Sequence, residues 1–260
     1  MIKWIKKNAV HIVRVGLVCC LALVSLAYVR LAYPTSFESV FAPAPAKKPL
    51  PVYSVARDDN VISISFDAAW GDEKTEEILA ILEARDIKTT FFLVGYWVDK
   101  YPEDVKQIFD AGHEIGNHSN THPRMSSLSK ADMLTELTKL SQKVEKITGT
   151  PVTLFRPPYG DYNDLVVTTS REAGYEIVQW DVDSLDWKNY GVQPMVDRVT
   201  KNVKSGSIIL FHNNSDYITQ ALPIILDNLL EKGYKIVPVS EILLKGETII
   251  DHAGVQHAGQ

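Results

Sequence analysis

From residue 61 onward the chain alternates between short apolar runs and stretches of helical periodicity, and that alternation leaves few folds open. The runs lie at 61–66, 89–94, 113–117, 152–155, 176–180, 207–211 and 234–238. Rich in β-branched and aromatic residues and bounded by turn formers, they read as buried strands. Between them Ile78, Leu79 and Leu82 mark a helix over 75–85, and Pro102 opens another that stops before Gly112. Ser129 can cap a long helix through Leu134, Leu137, Leu140 and Val144 to Gly149. Further helices are expected at 164–173, 194–203, 218–232 and from Ser240. Parallel neighbours need a crossover, usually a helix, so the pattern predicts an α/β fold with seven mostly parallel strands.

The N-terminal fifth differs. Residues 1–50 hold seven basic residues against Glu38, a net +6, which leaves −11 for the rest of a chain whose total is −5. A body this acidic argues against a nucleic-acid partner, which wants a basic face. Lys3, Lys6 and Lys7 precede an apolar run with no charge between Val15 and Val29. If Arg14 snorkels, the run extends back to Ala9 and reaches about 20 residues, enough to cross a bilayer. The expectation is a transmembrane helix within residues 1–33 with its basic end in the cytoplasm and the body at the outer face of the cell membrane. The alternative is a cleaved signal peptide, with Ser25-Leu26-Ala27 as cleavage site and a secreted body. Cys19 and Cys20 both sit in this run, as apolar membrane residues or as acylation sites, so the body has no possible disulfide. Five prolines in 34–56 suggest a stalk, partly in polyproline II form. The folded domain is expected over 57–246 and a polar tail over 247–260, with His252 and His257 solvated.

Chemistry in barrels of alternating strands and helices collects at the carboxyl ends of the strands. There stand Asp67, then His118 and His122, then Arg156-Pro157-Pro158-Tyr159-Gly160, then 181–187, then His212. This set is far richer in carboxylates and imidazoles than the strands before it. On a helical turn His118 and His122 would share a face and could hold one zinc-like ion. Alternatively they are two neighbouring loop histidines.

Five motifs then carry a resemblance: Ser65-Phe66-Asp67-Ala68, His118-Ser119-Asn120-Thr121-His122, Arg156-Pro157-Pro158-Tyr159-Gly160, Asp183-Ser184-Leu185-Asp186-Trp187 and Leu210-Phe211-His212. In this order, at strand ends, they resemble the polysaccharide deacetylase (NodB-homology) domain of carbohydrate esterase family 4, over about residues 61–244. The anchor-and-stalk design is similar to sporulation-associated, membrane-anchored members. The resemblance implies a distorted (β/α)7-type barrel. It also implies an N-deacetylase of cell-wall polysaccharide, with peptidoglycan amino sugars as substrate; chitooligosaccharide or exopolysaccharide is the alternative. By resemblance His118 and His122 are ligands of a divalent metal, zinc or else cobalt or manganese. Asp67 is the base, His212 the acid, Asp186 its charge partner and Arg156 the residue that orients the base. The Tyr159 backbone N–H is an oxyanion donor, and Trp187, Leu210, Pro157 and Tyr159 wall the sugar groove. The residue types suit amide hydrolysis: a metal-activated water, a base for its proton, stabilisation of the oxyanion and an imidazolium for the departing amine.

One departure stands out. The family's first motif has two consecutive aspartates, the second a metal ligand, and here that position is Ala68. Three outcomes are open. Asp72 could fold back as the third ligand, unless it is instead an N-cap for the helix over 75–85. Water, Asp67 or a substrate group could fill the gap. Or the chain is a silent glycan-binding protein of the same fold.

Overall fold

The computed structural model describes residues 2–32 and 48–259, in two units that divide at residue 48. The first unit is one helix, α1 (Ile2–Ala32). Its stretch Val13–Ala32 has a mean hydropathy of 2.2 and none of it is buried, so the apolar residues are not those of a core helix. Twenty helical residues rise about 30 Å, the thickness of a bilayer core. Most of the expected stalk, residues 34–47, lies outside the described residues.

The second unit begins before the expected boundary. Strand β1 (Ser54–Val55) pairs in parallel with β11 (Val255–Ala258), and β11 pairs antiparallel with β10 (Thr248–Ile250). The end of the expected stalk and the expected polar tail are thus folded together as a three-stranded sheet. Val52 and Val55 are buried, as is Gln256, whose side-chain oxygen accepts from the Leu244 N–H. Two buried valines among the prolines supplied the apolar surface that the stalk reading overlooked. His252 is exposed as expected, but His257 pairs with Asp251 at 3.1 Å.

The main sheet is built from β2 (Val61–Ala68), β3 (Thr90–Leu93), β4 (Glu114–Asn117), β5 (Leu154–Phe155), β6 (Glu176–Ile177), β7 (Val182–Asp183) and β8 (Ile208–His212), in the order β6-β5-β4-β3-β2-β8-β7 and all parallel. β9 (Lys235–Ile236) pairs with the first residues of β2. The expected helices are α2 (Thr75–Glu83), α4 (Pro102–Asp110), α5 (Lys130–Thr148), α6 (Asp164–Glu172), α7 (Val192–Asn202), α8 (Ile218–Glu231) and α9 (Val239–Ile242), and a short helix that the periodicity did not predict, α3 (Gly95–Lys100), precedes α4. Ser129 caps α5 by accepting from the Asp132 N–H, and Gly149 ends it in the left-handed conformation.

The expected fifth strand, 176–180, stops at Ile177. The chain then crosses from one edge of the sheet to the other, where β7 begins. Five residue steps reach at most about 18 Å, so a seven-strand sheet whose two edges they join must be strongly curled. β2 shows what the curl does to side chains. Ile62, Ile64, Phe66 and Ala68 face the core under the helices, where Phe66 stacks on Phe91 at 5.0 Å and on Phe211 at 5.6 Å between ring centroids. Ser63, Ser65 and Asp67 alternate onto the other face and are buried inside the curl. The inside mixes these polar groups with an apolar cluster of Val61, Phe92, Leu154 and Ile208, and its carboxyl end opens into a cleft of about 540 Å³.

Candidate active site

The cleft is lined by Asp67, His118, His122, Tyr159, Trp187, Leu210 and His212 among the residues expected there. Strand register explains their meeting: Asp67 lies beside His212 across the β2–β8 pair, and Asn117 pairs with Phe155, which sets His118 next to Arg156.

Arg156 is buried inside the curl. Its guanidinium donates to Asp67 Oδ1 at 2.8 Å, to Ser65 Oγ at 2.9 Å and to the Gln179 carbonyl at 3.1 Å. It also lies over the Phe92 ring at 4.1 Å. These partners fix the Asp67 carboxyl. Burial opposes its charge, but the positive groups around it, the hydrogen-bonded Arg156 guanidinium and His212, hold Asp67 below the usual carboxylate range, as an anion ready to accept a proton.

His118 is fixed from behind. Its Nδ1 lies 2.7 Å from the Arg156 carbonyl, so Nδ1 carries the hydrogen and Nε2 keeps a lone pair. Nε2 faces Asp67 Oδ2 at 3.4 Å. Two acceptors facing each other at that distance favour a cation between or beside them. His122 has no such support: its Nδ1 is buried without a hydrogen-bond partner among the described residues. Its ring is held edge-to-face by Tyr159 at 4.5 Å, His118 at 5.0 Å and Trp70 at 5.2 Å. Burial lowers the affinity of both imidazoles for a proton, that of His122 to about 4, so both are neutral donors at neutral pH.

The pair does not sit on a helical turn. It spans a loop in which Ser119 and His122 both have positive φ, 68° and 59°. The loop is held from α5: Glu136 accepts from the Asn120 N–H at 2.9 Å, the Thr121 N–H at 2.7 Å and the Thr121 hydroxyl at 2.8 Å. From the other side Gly95 presses against Asn120; a Cβ there would fall 2.8 Å from the Asn120 Cα.

Opposite, His212 donates from Nδ1 to Asp186 Oδ1 at 2.8 Å, and its backbone N–H reaches Asp186 Oδ2 at 2.7 Å. Burial disfavours an imidazolium, but the hydrogen bond and the charges of Asp186, Asp67 and Asp183 prevail and raise the His212 pKa. The buried Asp186 carboxylate also accepts from the Trp187 backbone N–H at 2.8 Å, which fixes the turn that brings Trp187 to the cleft wall.

Three expectations need correction. Asp72 does not join the histidines. Its carbonyl accepts from the Thr75 N–H, its charge acts on Lys100 and Asp104, and it does not line the cleft. It is no side-chain cap either, because Lys74 holds the N-cap position of α2 without a side-chain hydrogen bond. Pro157 is buried and does not line the cleft; Tyr159, at a positive φ of 60°, turns its ring there instead. Ala68, where the family has its second aspartate, belongs to the core under the helices. Among the described residues no three His, Cys, Asp or Glu side chains gather as a metal site. The donor set is two neutral imidazoles beside the Asp67 carboxylate, and the orphaned His122 Nδ1 and the facing acceptors of His118 and Asp67 fit a divalent cation.

Several residues escaped the sequence reading. Ser65 and Gln179 hold Arg156, Glu136 holds the histidine loop, and Trp70, Trp180, Asp183, Asn189, Asn214 and Ser215 line the cleft. Trp70 and Asp183 lie in or next to quoted motifs and could have been found; Glu136 is 14 residues beyond His122 and carries no local signal.

A polysaccharide deacetylase family model matches residues 54–178. The peptidoglycan-N-acetylglucosamine deacetylase of Bacillus cereus is 38% identical over 196 residues, 74% of this chain and 92% of that protein. The peptidoglycan-N-acetylmuramic acid deacetylase PdaA of Bacillus subtilis is 30% identical over 193 residues, 73% of each chain. A solved CE4-family pseudoenzyme of Bacillus anthracis superposes with a TM-score of 0.72 at 35% identity, over 75% of this chain and 69% of its own; a mutant of it has restored enzymatic activity. This chain belongs to the polysaccharide deacetylase family.

Proposed function

We propose that this chain is a metal-dependent hydrolase that removes N-acetyl groups from cell-wall polysaccharide, with peptidoglycan amino sugars as its substrate. The observation that carries the reading is the pairing of two oppositely tuned groups in one cleft. Asp67 is held anionic by Arg156, and His212 is biased toward imidazolium by Asp186. A base and an acid with pKa values pushed apart are what amide hydrolysis near neutral pH requires.

In this reading His118 and His122 hold a divalent ion, zinc by donor type, with Asp67 close by. A divalent ion at such a site supplies positive charge and lowers the pKa of a bound water. Asp67 takes the proton of the attacking water, and Arg156 keeps its carboxyl in place. The Tyr159 backbone N–H is assigned to the developing oxyanion. His212 hands a proton to the departing amine, and Asp186 offsets the imidazolium charge. Trp187 and Leu210 wall the sugar.

The relatives named above support the peptidoglycan substrate. α1 supports a single-pass anchor, or a signal segment, with the domain outside the cytoplasm. A sporulation role rests on the anchor-and-single-domain design alone. A second reading, a silent glycan-binding protein, is favoured by Ala68, by the misplaced Asp72 and by the pseudoenzyme relative.

Acetate release from peptidoglycan by the full chain, with zinc, cobalt or manganese and then with chelator, separates the two. Chelator-sensitive release is expected. No release at saturating concentrations of all three metals sinks the hydrolase reading.

A further inference from the structure

The main sheet has two edges, β6 on one side and β7 beside β8 on the other. An uncovered edge leaves N–H and C=O groups without partners. A strand from the start of the folded unit lies against both sides. The Val52 N–H donates to the Ile177 carbonyl at 2.9 Å, and the Val52 carbonyl accepts from the Gln179 N–H at 2.7 Å. Three residues on, the Val55 N–H donates to the Gly206 carbonyl at 2.9 Å, and Ser54 bridges Ser207, just ahead of β8. The strand is held from behind by β11, by the Gly254 carbonyl, which accepts from the Tyr53 N–H at 2.8 Å, and by Arg171, which donates to the Leu50 carbonyl at 2.7 Å. Backbone groups satisfied on both sides are those of a sheet strand, not of a linker.

Two links run from this strand to the active site. The first is Gln179: its N–H is held by Val52, and its carbonyl accepts from Arg156 at 3.1 Å. The second is Phe92. Its ring lies under the Arg156 guanidinium at 4.1 Å, and it shares one buried apolar cluster with Val52 and Val55. The Arg156 Nε is buried without a hydrogen-bond partner among the described residues, so the place of the guanidinium depends on its other contacts. Besides Asp67 and Ser65, those contacts include Gln179 and Phe92, and the strand backs both.

We propose that residues 50–55 are a positioning element of the active site, which closes the gap in the curled sheet and holds Arg156, and through it the Asp67 carboxyl, by way of Gln179 and Phe92. Val52 is the residue on which both links meet. The proposal rests on the hydrolase reading for the role of Asp67, and one of its two readouts needs no turnover.

The test uses the full chain in detergent. Gly206 has a φ of 83°, and a Cβ there would overlap the Val55 carbonyl, so Gly206→Ala must move the strand. Val52→Ala is the milder variant and carries the same reading where Gly206→Ala does not fold. The turnover-free readout is rotation of the Arg156 guanidinium, followed by NMR with labelled arginine and assigned by loss of the signal in Arg156→Lys. Rotation is expected to be slow in the native chain and faster in both strand variants. Acetate release should show kcat lowered about ten-fold with KM unmoved, because a displaced base costs rate rather than substrate binding. Val237→Ala is the control: this buried residue belongs to the same cluster but not to the strand, so it should lower stability in urea and leave rotation and kcat as in the native chain. Native rotation or native kcat in both strand variants, or the same changes in Val237→Ala, overturns the proposal. The two readings fail separately. Faster rotation in the variants of a chain that releases no acetate keeps the hold on Arg156 and sinks the hydrolase. Acetate release that is the same in the native chain and both strand variants does the reverse.

Discussion

His118 and His122 are four residues apart and face one cleft, yet different forces fix them. His118 is tied by a hydrogen bond from Nδ1 to the Arg156 carbonyl, inside the same network that holds Asp67. The His122 backbone N–H donates to Ser119 Oγ, but its ring has only packing on Trp70, Tyr159 and His118, in a loop pinned from α5 by Glu136. A hydrogen bond favours one direction for the ring; edge-to-face packing leaves a ring freer to tilt. His212 resembles His118: a buried carboxylate grips both its Nδ1 and its backbone N–H. The base-and-acid half of the site is therefore preorganised, and the half that would hold the metal is so at His118 but not at His122.

The largest expected effect lies in the preorganised half. Asp186→Asn removes the charge that raises the His212 pKa. Because the acid must be protonated, activity persists below that pKa and is lost as pH rises through it. The variant should move the alkaline limb of the rate profile to lower pH and reduce kcat by about 10²- to 10⁴-fold. An unmoved limb would mean that His212 is not the acid.

A smaller effect tests the looser half. Glu136→Ala frees the loop between the histidines and should weaken metal affinity by about ten- to a hundred-fold, as loss of outer-shell partners typically does. Glu136→Gln, which retains an acceptor, should recover part of it. Metal titration by calorimetry reads both, and equal affinities for the two variants and the native chain would show that packing alone holds His122.

A last effect, on stability and not on the chemistry, concerns a histidine outside the site. His113 is buried, its Nδ1 accepts from the Thr89 N–H, and burial, with Lys88 nearby, lowers its pKa to about 4. Above pH 6.5 it is neutral whether folded or not. As pH falls below 6.5 the unfolded chain takes the proton first, so stability falls until about pH 4, by at most about 3 kcal/mol. His113→Asn should remove most of that slope from urea unfolding between pH 7 and pH 4.5. The same slope in the variant would place the acid sensitivity elsewhere.

Much of this was legible because it is local. Strand runs, the Ser129 cap and the Gly149 stop depend on neighbours in sequence, and the strand-end residues follow from where each run stops. What failed depended on distant partners. Val52 and Val55 looked like stalk because their partners, Val178 for the first and the β11 strand for the second, lie far away in the chain. Residues 176–180 read as one strand because nothing local says that the chain must leave the sheet after Ile177 and rejoin it at the opposite edge.

The histidine pair shows the division most sharply. By itself the sequence determined that two imidazoles, an aspartate, an arginine and a histidine–aspartate pair stand at strand ends, since periodicity and motif order fix position along each strand. Tertiary structure alone decided which of them meet. The curl buries Arg156 against Asp67, whereas the turn before α2 sends Asp72 toward Lys100 and Asp104. The physical reason is range. Backbone propensity acts over a few residues, while the path of a loop is set by packing and charge from elements far away in the chain.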